Sequence, residues 1–419
     1  MSLTTKEIFY QSLYIACISV VFLNIYELTF AVWSLTAVVT IGSKYSMTLL
    51  KYCACFAVIL LTALIVSFFR DESMYRFFRD VAYLLKPIIG LVAGYQLCKK
   101  NKERFLSVLL SAGIFIAVIH LLIIFITFLR FNTITVNLLR NYCGYFSDYE
   151  IYVLLILIFH KKFELNYSKK KLTILISIMA LSSFLYLSRT NIIQLVILYI
   201  AMKGYLKLNA KSIAVGLTAI AIVGLSYTAI YMSNPQRSGK GLQSFLYKIK
   251  NAPIEPFKTK VDKENWKDFN DNYRSYENIL TVKQVTGYGT SATLFGKGLG
   301  SSVNLGRMIW TNDGEFIQFI PILHNGFATV FLKSGVFGVF FLVLSIFLLG
   351  RQKHSNIPMV QNINQLFIGT SIFLIVSYWV FMGLYLKLDN KSILLGFLLC
   401  YKEILIKQSR IAPTVIEEI

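Results

Sequence analysis

The sequence predicts an all-α polytopic membrane protein with about twelve transmembrane helices. Three observations carry that expectation. Apolar residues make up 56% of the 419-residue chain and charged residues 15%, against about 45–50% and about 25% in soluble domains. Mean hydropathy is +0.61. Apolar runs such as 105–129, 211–232 and 326–349 recur along nearly the whole length, each able to cross about 30 Å of hydrocarbon at about 1.5 Å per residue. These features exclude a soluble enzyme, a secreted disulfide domain and an outer-membrane barrel.

Taken in order, the expected spans cover 8–24, 26–42, 50–69, 81–97, 105–129, 149–160, 172–187, 191–202, 212–232, 322–350, 362–384 and 391–407. Basic clusters test the count. Lys99, Lys100, Lys102 and Arg104 form one, and Lys161, Lys162, Lys169, Lys170 and Lys171 a second. Lys203, Lys207 and Lys211 form a third, Arg351 and Lys353 a fourth, and Lys402, Lys407 and Arg410 a fifth. With twelve spans and a cytoplasmic N-terminus all five fall inside, as the positive-inside rule asks. The loop at 70–80, with Arg70, Arg76 and Arg79, is a mild exception on the outer side. The segment 172–202 is read as a hairpin, because a single span would put its two Lys-rich flanks on opposite sides. Its outer tip is then Ser188-Arg189-Thr190-Asn191.

Three parts result: an N-terminal bundle of about nine helices over 1–232, a large extracytoplasmic loop over 233–321, and C-terminal helices with a short cytoplasmic tail over 322–419. The loop carries eight acidic and twelve basic residues. Amphipathic pieces near 241–250 and 274–285 are helix candidates. A loop of that length is more often functional than structural. The net charge of +21 has its source in the orienting loops, so nucleic acid is not an expected partner. The six cysteines mostly lie in or beside apolar spans and read as small hydrophobes. The first apolar run lacks a small-residue cleavage site, so no removed signal peptide is expected.

No nucleotide-binding, dinucleotide or nucleophile-elbow motif is present, and nothing has metal-ligand spacing. His160 and His354 border cytoplasmic loops and His120 lies mid-span, where helix packing is the simpler role. His324 sits where the long loop re-enters the membrane, in Ile320-Pro321-Ile322-Leu323-His324-Asn325-Gly326. A neutral imidazole there can take or position a proton; it can equally cap a helix start. Arg140, Arg189, Arg237, Arg274 and Arg307 map to the outer side, where the planar guanidinium suits bidentate phosphate binding and snorkelling to lipid headgroups is the plainer use. Gly296, Gly298 and Gly300 suit a tight turn or an anion-binding nest of backbone N–H groups. Gly335 and Gly338 allow close helix packing.

Together these residues resemble the O-antigen ligase and polymerase family of bacterial membrane glycosyltransferases. The motif His324-Asn325-Gly326 with Leu332, Gly335 and Gly338 is similar to the family's sequence at the end of its large periplasmic loop. Ser188-Arg189-Thr190 is similar to its short Arg turn, and Arg274-Ser275-Tyr276 followed by Gly296-x-Gly298-x-Gly300 to the segment holding a second Arg. Arg140 with Gly144-Tyr145-Phe146 is similar to an earlier outer-loop motif. The likeness covers roughly 140–350; the first five spans match only in character.

The resemblance implies a membrane glycosyltransferase architecture of the GT-C-like kind in the bacterial inner membrane, with the active site facing the periplasm. It implies an inverting, metal-independent enzyme with no cofactor, whose donor is an undecaprenyl-pyrophosphate-linked oligosaccharide. Membrane lipid, a chain-length regulator and a flippase are its expected partners. His324, Arg189 and Arg274 are the expected catalytic residues, with Arg189, Arg274 and Arg140 on the pyrophosphate. Trp266, Tyr273, Trp310 and Asn325 are expected glycan contacts, and Asp271, Glu277, Asp313 and Glu315 alternative general bases. The expected activity is polymerisation of repeat units. The alternatives are ligation of the glycan to lipid A-core and, from another class, a lipid-linked oligosaccharide flippase. A flippase should carry charges within its helices, and the sequence places few there.

Overall fold

The computed structural model describes residues 4–42, 44–69, 73–101, 104–133, 135, 138–139, 142–143, 147–206, 210–237, 242–251, 258, 260–262, 264–310, 314 and 316–411. Every expected span is a helix there. They are α1 (Thr5–Ser19, extended by a 3-10 turn to Leu23), α2 (Tyr26–Val39), α3 (Met47–Ser67), α4 (Met74–Lys100) and α5 (Phe105–Phe131). After these come α6 (Asp148–Ile158), α7 (Lys169–Leu185), α8 (Arg189–Met202) and α9 (Ala210–Met232). Among the described residues six helices are long and apolar enough to cross a membrane: Thr5–Leu23, α3, α4, α5, and the two that follow the long loop, Gly326–Gly350 and Pro358–Val380. The protein is thus a helical membrane-embedded chain. The hairpin reading of 172–202 matches two helices that break at 186–188, where Leu187 takes φ +49° and Ser188 caps α8.

The described residues of the long loop form helices α10 (Gln243–Asn251), α11 (Trp266–Asp271), α12 (Tyr273–Gly287) and α13 (Thr290–Phe295). Strands β1 (Val303–Trp310) and β2 (Phe316–Ile320) follow as an antiparallel hairpin. The register pairs Val303 with Ile320 and Trp310 with Phe316, with an irregularity between Asn304 and Ile309. The sequence reading contained no strand, so the purely α expectation is corrected locally. Val285, Ala292, Val303, Leu305, Ile320 and Leu323 form a small core that closes on Leu332 of the next helix, α14 (Gly326–Gly350). The loop therefore rests on α14 through its own apolar centre. The chain ends in α15 (Pro358–Val380) and α16 (Lys391–Ile411).

Backbone approach holds the bundle together. A Cβ added to Gly94 of α4 would lie 2.0 Å from the Ile393 carbonyl oxygen, and one on Gly396 of α16 would lie 2.0 Å from that of Leu91. Only glycine admits such a crossing. The Gly296–Gly300 turn makes a second seam. Its three glycines take φ of +82°, +81° and +81°. Lys297 N–H donates to Leu332 O (2.7 Å) and Gly298 N–H to Lys333 O (3.1 Å). Leu299 N–H donates to Ser67 Oγ (2.6 Å) and Gly300 N–H to Asp80 Oδ2 (2.7 Å). These N–H groups serve protein acceptors, which favours the turn over an anion nest. On the facing side Gly335 leaves helical geometry (φ 64°, ψ −162°) and kinks α14 against the Leu294 backbone. A Cβ on Gly296 would stand 2.4 Å from the Lys333 carbonyl carbon. Gly296→Ala therefore combines left-handed strain with a backbone clash, and a loss of at least about 1–3 kcal/mol is expected, read as a lowered melting temperature in detergent.

Charges inside the bundle are more numerous than the sequence reading allowed. Asp80 of α4 pairs with Lys333 of α14, and Lys391 of α16 sits between Asp148 of α6 and Asp389. Lys86 donates to the Leu386 and Lys387 carbonyls at 2.6 and 2.9 Å. All six side chains are at most 5% exposed. The expectation of few intrahelical charges is thus corrected. Asp80, Asp148, Asp389 and Lys391 escaped a span-by-span reading because they lie at or just outside the expected span limits, where they resemble flanking residues; Lys86 and Lys333 lie inside theirs.

Candidate functional site at the loop end of the bundle

The chain re-enters the bundle at His324. Asn325 Oδ1 accepts from Ala328 N–H (3.0 Å) and caps α14, as Asn does at helix starts. Asn325 is 3% exposed, so this expected glycan contact is occupied with holding the helix start. Gly326 lies so close to Tyr378 and Met382 that a Cβ there would clash, and its N–H donates to Phe381 O (2.9 Å). His324 is thereby held at a fixed point, with about half of its side chain exposed.

Glu277 supplies its partner. Position 277 lies one helical turn into α12, on the face that packs on the loop core, and its side chain is 1% exposed. His324 Nδ1 stands 3.1 and 3.0 Å from the two Glu277 oxygens, and His324 N–H donates to Oε2 at 3.1 Å. A carboxylate accepts and does not donate. We therefore assign the ring hydrogen to Nδ1, which leaves Nε2 as the nitrogen able to accept a proton. Tyr273 meets the imidazole edge-on, centroids 5.7 Å apart. Burial and then the neighbouring Glu277 charge raise its phenol well above the usual tyrosine range, so it stays a neutral hydroxyl.

Arg274 lies three residues before Glu277, on the same side of α12, and its guanidinium carbon is 5.0 Å from the Phe381 ring. Phe381 O also accepts from Gly326 N–H, so Arg274 and the residue two after His324 both meet Phe381. Arg189 reaches the same end by another route. Gly369 of α15 packs on Leu198 and Ala201 of α8, while Gly204 faces Gln365. The two helices thus run antiparallel, and the start of α8 at Arg189 lies at the end where α15 finishes. At the opposite end Lys162 donates to Met202 O, Asn362 to Lys162 O, Asn364 to Lys353 O and Lys402 to Gln352 Oε1. Lys162, Lys203, Lys353 and Lys402, drawn from basic clusters two to five, therefore gather at one end, and His324, Arg274 and Arg189 at the other.

The remaining expectations divide. Arg140, Gly144, Tyr145 and Phe146 lie outside the described residues, as do Asp313 and Glu315. Asp271 pairs with Arg237 (3.0 Å) and accepts from Tyr247 Oη (3.1 Å), which commits it to joining the two halves of the loop. Arg307 lies over the Phe269 ring at 4.5 Å. Trp266 and Trp310 are 65% and 71% exposed, on α11 and at the end of β1, and neither joins His324. His120 is buried, its Nδ1 2.8 Å from Ser182 Oγ and its ring stacked on Tyr186 at 3.7 Å, in keeping with helix packing. The sequence marked Arg79 only as part of a mild basic exception at 70–80. Its Nε and Nη2 are buried without a hydrogen-bonding partner among the described residues, and it lies on α4 beside Asp80.

The arrangement offers an oriented proton acceptor, a buried carboxylate behind it, and two guanidinium groups at one end of a membrane bundle. No family model matches the chain, and no curated protein is similar to it at a significant level.

Proposed function

We propose that the protein is a membrane glycosyltransferase of about twelve spans and GT-C-like architecture. It polymerises undecaprenyl-pyrophosphate-linked repeat units at the periplasmic face of a bacterial inner membrane. The Glu277–His324 pair at the loop junction, one turn from Arg274, carries this reading. An acceptor hydroxyl attacks the anomeric carbon of the donor glycan while His324 Nε2 takes the hydroxyl proton. The bond from the anomeric carbon to the pyrophosphate oxygen breaks on the opposite face, and the configuration inverts. Negative charge then develops on the leaving pyrophosphate. Arg274 and Arg189 are fixed cations suited to stabilising it, and a donor aimed at developing charge contributes about 3–4 kcal/mol in known sites. Glu277 fixes the tautomer and stabilises the imidazolium.

The decisive experiment gives the purified protein a lipid-linked repeat unit as sole substrate, without lipid A-core. A ladder of products supports the polymerase. Transfer only after lipid A-core is added replaces it with the ligase. The buried charges favour a second reading, a flippase, since intramembrane ionisable groups often line a pathway. Asp80, Lys333, Asp148, Asp389 and Lys391 are nonetheless paired with one another, as in a structural tie. Movement of the lipid-linked unit across vesicles, with no bond formed, would overturn the enzyme.

Arg189→Ala and Arg274→Ala are each expected to lower product formation by about 100-fold or more, with the protein still accumulating in the membrane. Lys at either position should restore little, because one ammonium cannot reproduce a two-pronged contact. Product yield per unit of purified protein checks both.

A further inference from the structure

The basic end of the bundle holds a concavity of its own. Phe105, the first residue of α5, stacks on Tyr401 with ring centroids 3.4 Å apart, and Tyr95 Oη donates to Glu403 Oε2 (2.7 Å). The α4–α5 turn therefore lies at the end where Lys402 meets Gln352, which the positive-inside rule puts in the cytoplasm. Between this turn and the start of α1 opens a pocket of about 380 Å³, within the range of about 300–1,000 Å³ that holds small ligands. Its lining includes Lys6, Glu7, Tyr10, Lys99, Lys100 and Arg104.

Local structure fixes both walls. Thr4 caps α1: its N–H and its hydroxyl each donate to Glu7 Oε2 (2.8 Å), and its Oγ1 accepts from Glu7 N–H (3.3 Å). That capping box engages one oxygen of the acid in the lining. On the other wall Asn101 ends α4, its Nδ2 donating to Leu97 O (2.9 Å) and its carbonyl accepting from Arg104 N–H (3.1 Å). Lys99 donates to Lys44 O and lies 4.9 Å from the Tyr95 ring centroid. Lys100 of α4 reaches α1 across the pocket, its ammonium 5.6 Å from the Tyr10 ring centroid.

The charge follows from the sequence. Residues 99–104 hold four cations and one acid, and Lys6 and Glu7 add one of each. Lys102 and Glu103 lie outside the described residues and enter this count by sequence alone. Orientation in a membrane asks only for such charge near helix ends. Here α1, α4 and α5 also bring it around one concavity.

Position and rim choose the ligand. Helices α4 and α5, and Thr5–Leu23, are each long and apolar enough to cross a membrane, so their ends lie at the level of lipid headgroups. Ile8 and Phe9, next to the pocket on α1, are 48% and 50% exposed, a surface suited to acyl chains. Lysine meets phosphate as a point charge, and basic pockets between membrane helices on the cytoplasmic side take anionic headgroups. A soluble phosphate uses the cations and has no part for the apolar rim. We propose that this pocket binds the headgroup of an anionic phospholipid, with Lys6 and Lys100 meeting its phosphate from opposite walls and Ile8 and Phe9 along its acyl chains. The lipid then ties α1 to the α4–α5 turn. This inference goes beyond the glycosyltransferase reading and does not rest on it.

Native mass spectrometry of the purified full chain, titrated with phosphatidylglycerol or phosphatidylcholine, tests the proposal. Phosphatidylglycerol should bind at least about five-fold more tightly than phosphatidylcholine, and more weakly as salt is raised. Lys6→Gln combined with Lys100→Gln, first shown to melt as the parent does without added lipid, should lose at least about 10-fold in affinity. Lys6→Arg with Lys100→Arg should bind as the parent does. Lys170→Gln removes an exposed lysine from the start of α7 at the same end and should change little. Equal binding of the two lipids, unchanged affinity in the double Gln variant, or an equal loss in Lys170→Gln overturns the proposal. Displacement of phosphatidylglycerol by millimolar inorganic phosphate would also overturn it and give the pocket to a soluble phosphate. A protein that transfers no glycan but passes these tests keeps the lipid site.

Discussion

His324→Ala is expected to abolish product formation, and Glu277→Gln to reduce it by about 10²–10³-fold while the protein keeps its parent melting behaviour. A positioned base contributes about 10²–10⁴-fold. The two variants separate the roles. Ala removes the proton acceptor altogether. Gln keeps the shape and a hydrogen bond, but its amide can present its oxygen or its NH₂ to Nδ1, so the tautomer is no longer fixed, and no negative charge stabilises the imidazolium. The loss in Glu277→Gln should therefore fall on the rate at saturating donor, with little change in the donor concentration for half-maximal rate. Single-turnover rates for both proteins check this. A Glu277→Gln enzyme of parental speed would leave His324 as a helix-start residue and remove the central argument for catalysis here.

Lys333→Ala has the largest expected effect on stability. The Lys333 and Asp80 side chains are 1% and 0% exposed, so removing the lysine leaves a carboxylate buried without its cation. Breaking such a pair costs about 3–5 kcal/mol. Asp80 also accepts from Gly300 N–H, and Lys333 donates to Ser301 O. The substitution therefore loosens the seam between loop and bundle as well as the bundle itself. The double variant Asp80→Asn with Lys333→Met should recover most of the loss: the amide oxygen still accepts from Gly300, and no buried charge remains. Thermal melts of the three proteins in one detergent test this. A single variant as stable as the parent would mean that water reaches the pair.

Much of the helical plan was legible because apolar length and basic flanks are local properties. Each of the twelve expected segments is helical, and the break at Leu187 falls where the two Lys-rich flanks required a turn. The β-hairpin was less visible. Its strands are eight and five residues long and alternate poorly, although Asn312-Asp313-Gly314 between them is a turn signal. Among the site residues, His324 and Arg274 stood out by type and place. Glu277 was only one carboxylate of four, because its partner lies 47 positions away. Asn325 shows the opposite failing: an Asn just before Gly-Phe-Ala at a helix start is legible as a cap, and the family likeness drew attention to its hydrogen-bonding groups instead.

The two buried ion ties share an asymmetry. Both tie an acid met early in the chain, Asp80 and Asp148, to a lysine met late, Lys333 and Lys391, 253 and 243 positions further on. During synthesis from the N-terminus, each acid enters the membrane before its cation has been translated. It waits without that partner until the last third of the chain arrives. Docking of α14 and α16 then closes both pairs, seats the Gly296–Gly300 turn and sets His324 in place. The His324 end of the molecule is thus the last part to be assembled, and a nascent chain stalled before Lys333 holds every helix of the N-terminal bundle without that site in place.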